Sequence, residues 1–184
     1  MRPVTREELL DYQTYGDHRD AIRKEVLKVK APRRIRVGSH LTFLFENRDT
    51  VRYQVQEMLR SERIVREDAI RHELDTYNDL LGGPGELGAT LFVEIDDPAE
   101  RAARLSEWRD LPGRLYLRFE DRSQAFARFE RRQVGEDKLS AVQFLKFACG
   151  GRTPVAVGTD FPPLAAEARL TEEQRQALAR DLAD

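Results

Sequence analysis

The spacing of apolar residues changes near the middle of the chain. Up to residue 81 most apolar positions recur every three or four residues, which predicts helices, whereas after residue 88 they alternate or form short runs, which predicts strands. The segment 33–46 departs from the first pattern, because alternating arginines and apolar residues followed by LTFLFE predict a β-hairpin. We therefore predict an α+β fold with a mainly antiparallel sheet of about five to seven strands, packed against N-terminal and central helices.

Local signals place the predicted elements along the chain. Thr5 and Glu8 form a capping-box pattern that predicts a short helix from Arg6, and Asn47 or Asp49 is expected to cap the central helix. Further helices are predicted over 17–30, 99–109 and 171–183, and further strands over 89–95, 114–120, 124–130, 140–149 and 154–160. We predict a single domain over 1–184, with a helical half 1–81, a glycine-rich linker 82–88, a strand-rich half 89–163 and a C-terminal helix 171–183.

The segment 43–81 contains no glycine or proline and carries two apolar stripes. The first stripe consists of Val51, Val55, Met58 and Leu59, and the second consists of Ile70, Leu74, Tyr77 and Leu81. The second stripe is turned by roughly 100° from the first, which is the rotation of about one residue in a helix. One straight helix would have to bury both faces. We therefore predict a break at 61–66 that divides the segment into two helices packed against each other.

Charged residues lie close to both stripes, namely Glu57, Arg60, Glu62, Arg63, Arg66 and Glu73. Charges beside an apolar seam are costly to bury unless they are paired or bind something, and the pair Glu62–Arg66 has the favourable i,i+4 order. Three interpretations stay open. The first is an ion-pair network that fixes the two helices. The second is a site in which the arginines and Gln54 or Gln56 hold an anionic ligand or a partner's carboxylate. The third is a metal site built from Glu57, Glu62 and Glu73 with His40 or His72.

The overall charge is balanced, with 31 basic and 33 acidic residues and a formal net charge of -2, too weak to steer the whole protein onto nucleic acid or a membrane. The basic segment 24–36 lacks interleaved aromatic residues, so we interpret it as a solvated face with salt bridges and not as phosphate contacts. No apolar run approaches the ~20 residues of a membrane span and no secretory signal is visible, so a cytoplasmic protein is expected. Cys149 is the only cysteine, and we expect it to be buried.

The string LFENRDTVRYQVQEMLRSERI, followed in order by ELDTYNDLL, ATLFVEIDD and SAVQFLKF, resembles a bacterial family, domain-of-unknown-function family number 3501. The resemblance covers most of the chain, and the FENR…QVQEM…ER block carries it most specifically. Members of that family are similar to small cytoplasmic proteins that are often encoded beside rubrerythrin and an iron–sulfur oxidoreductase of the heterodisulfide-reductase type. The resemblance therefore implies a link to redox or peroxide defence, and it assigns no reaction.

The shared block corresponds in this chain to Glu46, Arg48, Gln54, Glu57, Met58, Arg60, Glu62, Arg63, Glu73, Tyr77 and Asn78. Relatives tend to carry a histidine where this chain has Gln143, and a DHPxY-like motif where residues 160–162 are DFP. If those histidines hold a metal in relatives, this chain has lost them, which argues against the metal interpretation.

We expect an accessory or binding protein linked to redox or peroxide defence, with an iron–sulfur oxidoreductase or rubrerythrin as its partner. The alternative is a small metal-dependent or redox enzyme that uses carboxylates of the central helices. The pattern identifies no catalytic residue and no cofactor. The candidate ligand-binding residues are Gln54, Glu57, Arg60, Glu62, Arg63, Glu73, His40, Tyr77 and Asn78.

Overall fold

The computed structural model describes residues 1–130, 134–135 and 137–184. Its helices over these residues are α1 (Tyr12–Lys30), α2 (Arg48–Ser61), α3 (Glu67–Asn78), α4 (Pro98–Glu107) and α5 (Glu172–Ala183). Its strands are β1 (Arg34–Val37), β2 (Leu41–Glu46), β3 (Glu86–Val93), β4 (Leu115–Arg118), β5 (Gln124–Phe126), β6 (Val142–Ala148), β7 (Ala156–Thr159) and β8 (Ala166–Arg169). None of the described helices is long and apolar enough to cross a membrane.

The strands divide between two four-stranded antiparallel sheets. The first has the order β1-β2-β3-β6, with Phe43 of β2 opposite Leu91 of β3, and the second has the order β5-β4-β7-β8. The predicted α+β class with antiparallel pairing is thus confirmed. The division into two sheets, and the eight strands found among the described residues, go beyond the single sheet of about five to seven strands that the sequence predicts.

The main core lies between the two sheets and includes one side of α4 and α5. Alternate residues of each strand point into it, because successive side chains of a strand face opposite ways. The buried residues of this core include Phe43, Phe45, Leu87, Leu91 and Phe147 from the first sheet, Leu115, Leu117 and Val157 from the second, and Leu105 and Leu178 from the helices.

A second core forms where α2 and α3 pack against the N-terminal residues. Val51, Val55 and Leu59 contribute from α2, and Ile70, Leu74 and Leu81 contribute from the second stripe. The helix is interrupted between Ser61 and Glu67, where the sequence predicted a break at 61–66, so the prediction of two packed helices is confirmed. Asn47 caps α2 in a reciprocal capping box with Thr50.

Three local predictions differ from the structure. The first α-helix begins at Tyr12, five residues before the predicted start, because the Asp11 side chain accepts hydrogen bonds from the amides of residues 13 and 14. Thr5 makes no side-chain cap, and residues 6–8 form one 3₁₀ turn instead of a capped helix. Strand β8 has no counterpart among the predicted strands, because its sequence AEAR lacks the β-branched and aromatic residues that indicate a strand.

The glycine-rich segment is only partly a linker, because β3 already begins at Glu86. Gly88 lies inside that strand, opposite Glu46 of β2. A Cβ atom at Gly88 would lie 1.8 Å from the carbonyl oxygen of Leu80, which belongs to the turn that follows α3. Gly88 therefore lets the end of α3 approach the backbone of the sheet, and this close approach positions the central helices.

The sequence predicted that the basic segment 24–36 is a solvated face with salt bridges, and the structure shows a salt bridge there that is buried instead of solvated. Arg33 is buried, and its guanidinium donates two hydrogen bonds of 2.8 Å to the carboxylate of Asp181 on α5. It donates a third hydrogen bond of 2.7 Å to the backbone carbonyl of Val29. The two partners are 148 residues apart in sequence, so no local pattern could reveal the pair.

Candidate functional site

Polar side chains of α2 and α3 hold the N-terminal segment, residues 1–15, against the central helices. The side-chain amide of Asn78 accepts a hydrogen bond from the Val4 amide at 2.8 Å and donates one to the Val4 carbonyl at 2.9 Å. Gln56 binds the backbone of Leu10 in the same two-sided way, at 2.6 Å and 3.3 Å. Each side-chain amide thus acts as a backbone partner for a segment that has no strand beside it.

The Glu57 carboxylate joins α2 to α1. It accepts a hydrogen bond of 2.6 Å from the Tyr15 hydroxyl and two from Arg19, at 2.8 Å and 2.7 Å. The Arg19 hydrogen bonds lower the pKa of Glu57 despite its partial burial. Burial, followed by the hydrogen bond to Glu57, raises the pKa of Tyr15. Glu57 is therefore an ionised carboxylate with a fixed geometry.

A second polar group lies next to Glu57, between α1 and the first sheet. The Lys30 ammonium is 5.1 Å from the centre of the Tyr53 ring, and burial lowers the pKa of Lys30 against the opposing effect of Glu46. Glu46 itself is buried and accepts hydrogen bonds from the hydroxyls of Thr50 at 2.5 Å and Thr90 at 2.6 Å. These contacts tie α1 and α2 to the sheet.

A groove of about 350 Å³ lies between the N-terminal segment and the corner where α2 meets α3. This helix groove is lined by Arg6, Leu10, Tyr12, Arg60, Ile64 and Val65, among other residues. Three of its apolar side chains are exposed, by 39% for Leu10, 48% for Tyr12 and 71% for Val65. Arg6 is engaged with Glu67 at 3.0 Å, whereas Arg60 forms no salt bridge with the described residues. The groove therefore combines exposed apolar surface with the Arg60 guanidinium, which acts on the Glu57 carboxylate from a distance and has room to bind a ligand.

The predicted site residues lie in several different places. Glu57 and Asn78 hold the N-terminal segment and α1, and Arg60 lines the helix groove. Gln56, and not Gln54, makes the buried amide contact, while Gln54 is half-buried. Tyr77 lines another cavity, of about 670 Å³, beside β6.

His40 lies apart from the central helices. It is the last residue of the turn between β1 and β2, where the centre of its ring is 5.7 Å from the centre of the Trp108 ring and its Nδ1 is 3.3 Å from the Glu94 carbonyl oxygen. Glu73 is half-buried on α3, and His72 is exposed. In the described part of the chain, no group of three His, Cys, Asp or Glu side chains is arranged to hold a metal ion. The structure does not bring together the carboxylates and histidines of the metal interpretation.

The expected pair Glu62–Arg66 is absent among the described contacts. Because α2 ends at Ser61 and α3 begins at Glu67, the two residues do not share a helix, and both are exposed. Arg66 instead binds Asp68 at 3.0 Å. Arg63 is exposed at the same corner, with a φ of 53°. Among the described residues, the buried charges are Glu46 and the ion pair Arg33–Asp181, and Glu57 is half-buried, whereas the charged residues of the corner are exposed.

The apolar stripes and charges of the central segment did not point to the residues of α1 that bind Glu57. Tyr15 and Arg19 are four residues apart and therefore lie on one helix face, a spacing that marks them as joint partners of Glu57.

Cys149 is buried as predicted, and burial raises its pKa to about 11. Gln143, at the position where relatives tend to carry histidine, is fully buried and donates to the Ser140 carbonyl at 2.9 Å.

These features define an α+β protein with two antiparallel sheets, a pair of central helices and an N-terminal segment bound to them. The chain belongs to the family described as Protein of unknown function (DUF3501), whose model matches residues 3–182, so the resemblance seen in the sequence is confirmed. The chain is also similar to a crystal structure of a novel protein of unknown function from Burkholderia pseudomallei K96243. The two share 33% identity over 98% of this chain and 100% of that one, with a TM-score of 0.90. No curated protein matches the chain.

Proposed function

We propose that this protein is an accessory binding protein, and that the helix groove receives a segment of a partner protein. The observation that supports this proposal is the gathering of exposed Leu10, Tyr12 and Val65 around one concave surface. Single exposed apolar residues are ordinary on protein surfaces, whereas several around one groove are typical of interaction sites. The contact of Gln56 with the Leu10 backbone fixes one wall of the groove, so a partner would meet a preorganised surface.

The groove also favours a particular partner chemistry. Arg60 stands beside the apolar wall without a salt bridge to the described residues, and a guanidinium in that position recognises a carboxylate. The segment that fits this surface is amphipathic, with an apolar side chain for the groove and an acidic residue next to it. Burial of the apolar side chain would supply most of the affinity, and the charge would fix the orientation.

The redox part of the proposal comes from the family resemblance. Rubrerythrin and the iron–sulfur oxidoreductase of the heterodisulfide-reductase type are the proposed partners, in a cytoplasmic setting and in the context of peroxide defence. The groove supplies the binding chemistry for such a partner, and the resemblance supplies its identity.

The test measures binding of the purified chain to each of the two proposed partners from the same genome, by biolayer interferometry. Val65→Glu places a charge on an exposed position of the groove and should weaken binding at least tenfold, a change of about 1.4 kcal/mol. Leu27→Glu is the matched control, because Leu27 is 55% exposed on α1. It lies about 18 Å along the helix from Tyr15 and should leave binding unchanged.

Two outcomes would contradict the proposal. Binding that is absent for both partners, or that is weakened equally by Val65→Glu and Leu27→Glu, would exclude the groove as their docking site. Stoichiometric iron, manganese or zinc in protein purified without a tag would instead favour the metal-dependent or redox enzyme that the sequence left as the alternative.

A further inference from the structure

A second concave surface is rich in arginines, whereas the helix groove has a largely apolar lining. The two surfaces share no lining residue. It is a cavity of about 630 Å³ formed where β4 ends, β7 and β8 meet and α5 begins. We call it the arginine cleft, because four of the side chains that line it are Arg118, Arg122, Arg169 and Arg175. Its volume falls in the range of small-molecule sites.

The four arginines are not equally engaged. Arg118 forms a two-pronged ion pair with the Glu167 carboxylate, and Arg175 has only longer contacts of 3.8 Å with Glu120 and 4.0 Å with Glu172. The side chains of Arg122 and Arg169 make no hydrogen bond or salt bridge with the described residues. Two guanidinium groups and part of a third are therefore available to a ligand in one cavity.

The base of the arginine cleft is apolar and rigid. Phe119 is 3% exposed and Leu170 is 8% exposed, and both line the cavity. The Arg152 guanidinium lies 4.0 Å from the centre of the Phe119 ring and binds Asp121 at 3.1 Å, which holds the ring in place. A ligand would thus meet fixed apolar surface below and flexible cations around it.

We propose that the arginine cleft binds a small molecule that carries a phosphate or polyphosphate group. The planar guanidinium fork matches phosphate oxygens in pairs, and several forks around one cavity favour a ligand with more than one negative charge. Glu120 lines the cleft and Glu172 stands beside Arg175, so carboxylates flank the cations. An extended nucleic-acid backbone would have to run past these carboxylates, whereas a compact anion can contact the guanidinium groups between them.

The backbone at Arg122 allows an unusually clean test. Arg122 has a φ of 67°, in the left-handed region that favours glycine. Arg122→Gly therefore removes a cleft cation while relieving backbone strain, so loss of binding in this variant is not explained by loss of folding. Arg169→Gln provides a second, independent removal of a charge on β8.

The experiment is isothermal titration of the full chain with tripolyphosphate, in a buffer that contains no other multivalent anion. We expect saturable binding of one molecule per chain. Arg122→Gly and Arg169→Gln should each weaken it at least about tenfold. Arg180→Gln is the matched control, because Arg180 is exposed on α5 and does not line the cleft. It should change the affinity by less than about threefold.

Each contrary outcome overturns the proposal. No saturable binding at about 1 mM tripolyphosphate, or equal weakening by the two cleft variants and Arg180→Gln, would reduce the cleft to a nonspecific basic surface. Citrate binding as tightly as tripolyphosphate would exclude phosphate as the recognised group. Heparin binding that is stronger than tripolyphosphate binding and is lost in Arg122→Gly would assign the surface to an extended polyanion instead.

Discussion

Replacing Asp181 by alanine should destabilise the protein strongly, because it leaves the Arg33 guanidinium buried without a counter-ion. Both partners are almost fully inaccessible, at 6% exposure each, and the two hydrogen bonds between them measure 2.8 Å. After the substitution, Arg33 would keep its hydrogen bond of 2.7 Å to the Val29 carbonyl but would have no neutralising charge. Water cannot readily replace the carboxylate, since the site lies between α5 and the end of α1.

The expected loss follows from the difference between breaking a buried pair and replacing it. Removing one partner of a buried ion pair costs about 3–5 kcal/mol, because the remaining charge stays desolvated. For a chain of this size, each kcal/mol lowers Tm by roughly 2–4 °C, so Asp181→Ala should lower it by about 10 °C. Removing an exposed acidic residue should change the free energy of unfolding by no more than about 0.5 kcal/mol.

Urea denaturation followed by circular dichroism measures this difference. Asp181→Ala should lower the unfolding midpoint with little change in the slope m, because the surface exposed on unfolding stays nearly the same. Glu62→Ala is the control: Glu62 is exposed at the corner between α2 and α3, so its removal should hardly move the midpoint.

A loss below about 1 kcal/mol for Asp181→Ala would refute the reasoning, since it would mean that Arg33 reaches solvent or another anion. The double variant Arg33→Met with Asp181→Leu adds a second check. Replacing both charges by apolar side chains of similar volume should recover most of the loss. A double variant as unstable as Asp181→Ala would show that packing, and not the unpaired charge, causes the effect.

Two further predictions concern the helices and their contact with the sheet. Gly88→Ala should destabilise the protein by more than about 2 kcal/mol in urea denaturation, because the added methyl group overlaps the backbone that follows α3. Gly16→Ala is the control: no atom lies near its Cβ position, so it should stabilise α1 by about 0.5–1 kcal/mol. Equal effects of the two substitutions would contradict this account. Glu57→Gln should reduce the free energy of unfolding at pH 7, because folding lowers the pKa of Glu57 and the ionised carboxylate therefore stabilises the native state. The difference between the variant and wild type should shrink as the pH falls below 4.5, because protonation of Glu57 removes that stabilisation from wild type. Urea denaturation at a series of acidic pH values tests this for Glu57→Gln, with Glu62→Gln as the control. A loss of stability in Glu57→Gln that stays constant with pH would be inconsistent with a role for the Glu57 carboxylate.

The sequence by itself determined the elements that depend on local periodicity. The offset between the stripes of Val51 and Ile70 predicted the break between α2 and α3, because a helix can bury only one continuous face against a flat neighbour. The cap of the central helix was also narrowed to Asn47 or Asp49, since capping uses residues within one turn, and Asn47 is the cap in the structure. The family block, too, is a property of the sequence. It included Glu57 and Asn78, which hold α1 and the N-terminal segment, but it pointed to Gln54 where the structure uses Gln56.

Only the tertiary structure decided which charges are buried and which are free. Arg33 and Glu62 are both charged residues near apolar positions, yet the first is buried against Asp181 and the second is exposed. The difference arises because a distant helix covers Arg33, whereas the break after Ser61 leaves Glu62 at a corner. The division of the strands into two sheets, the helix groove and the arginine cleft have the same origin. Each depends on segments that are far apart in sequence and adjacent in space, and a local pattern carries no information about such contacts.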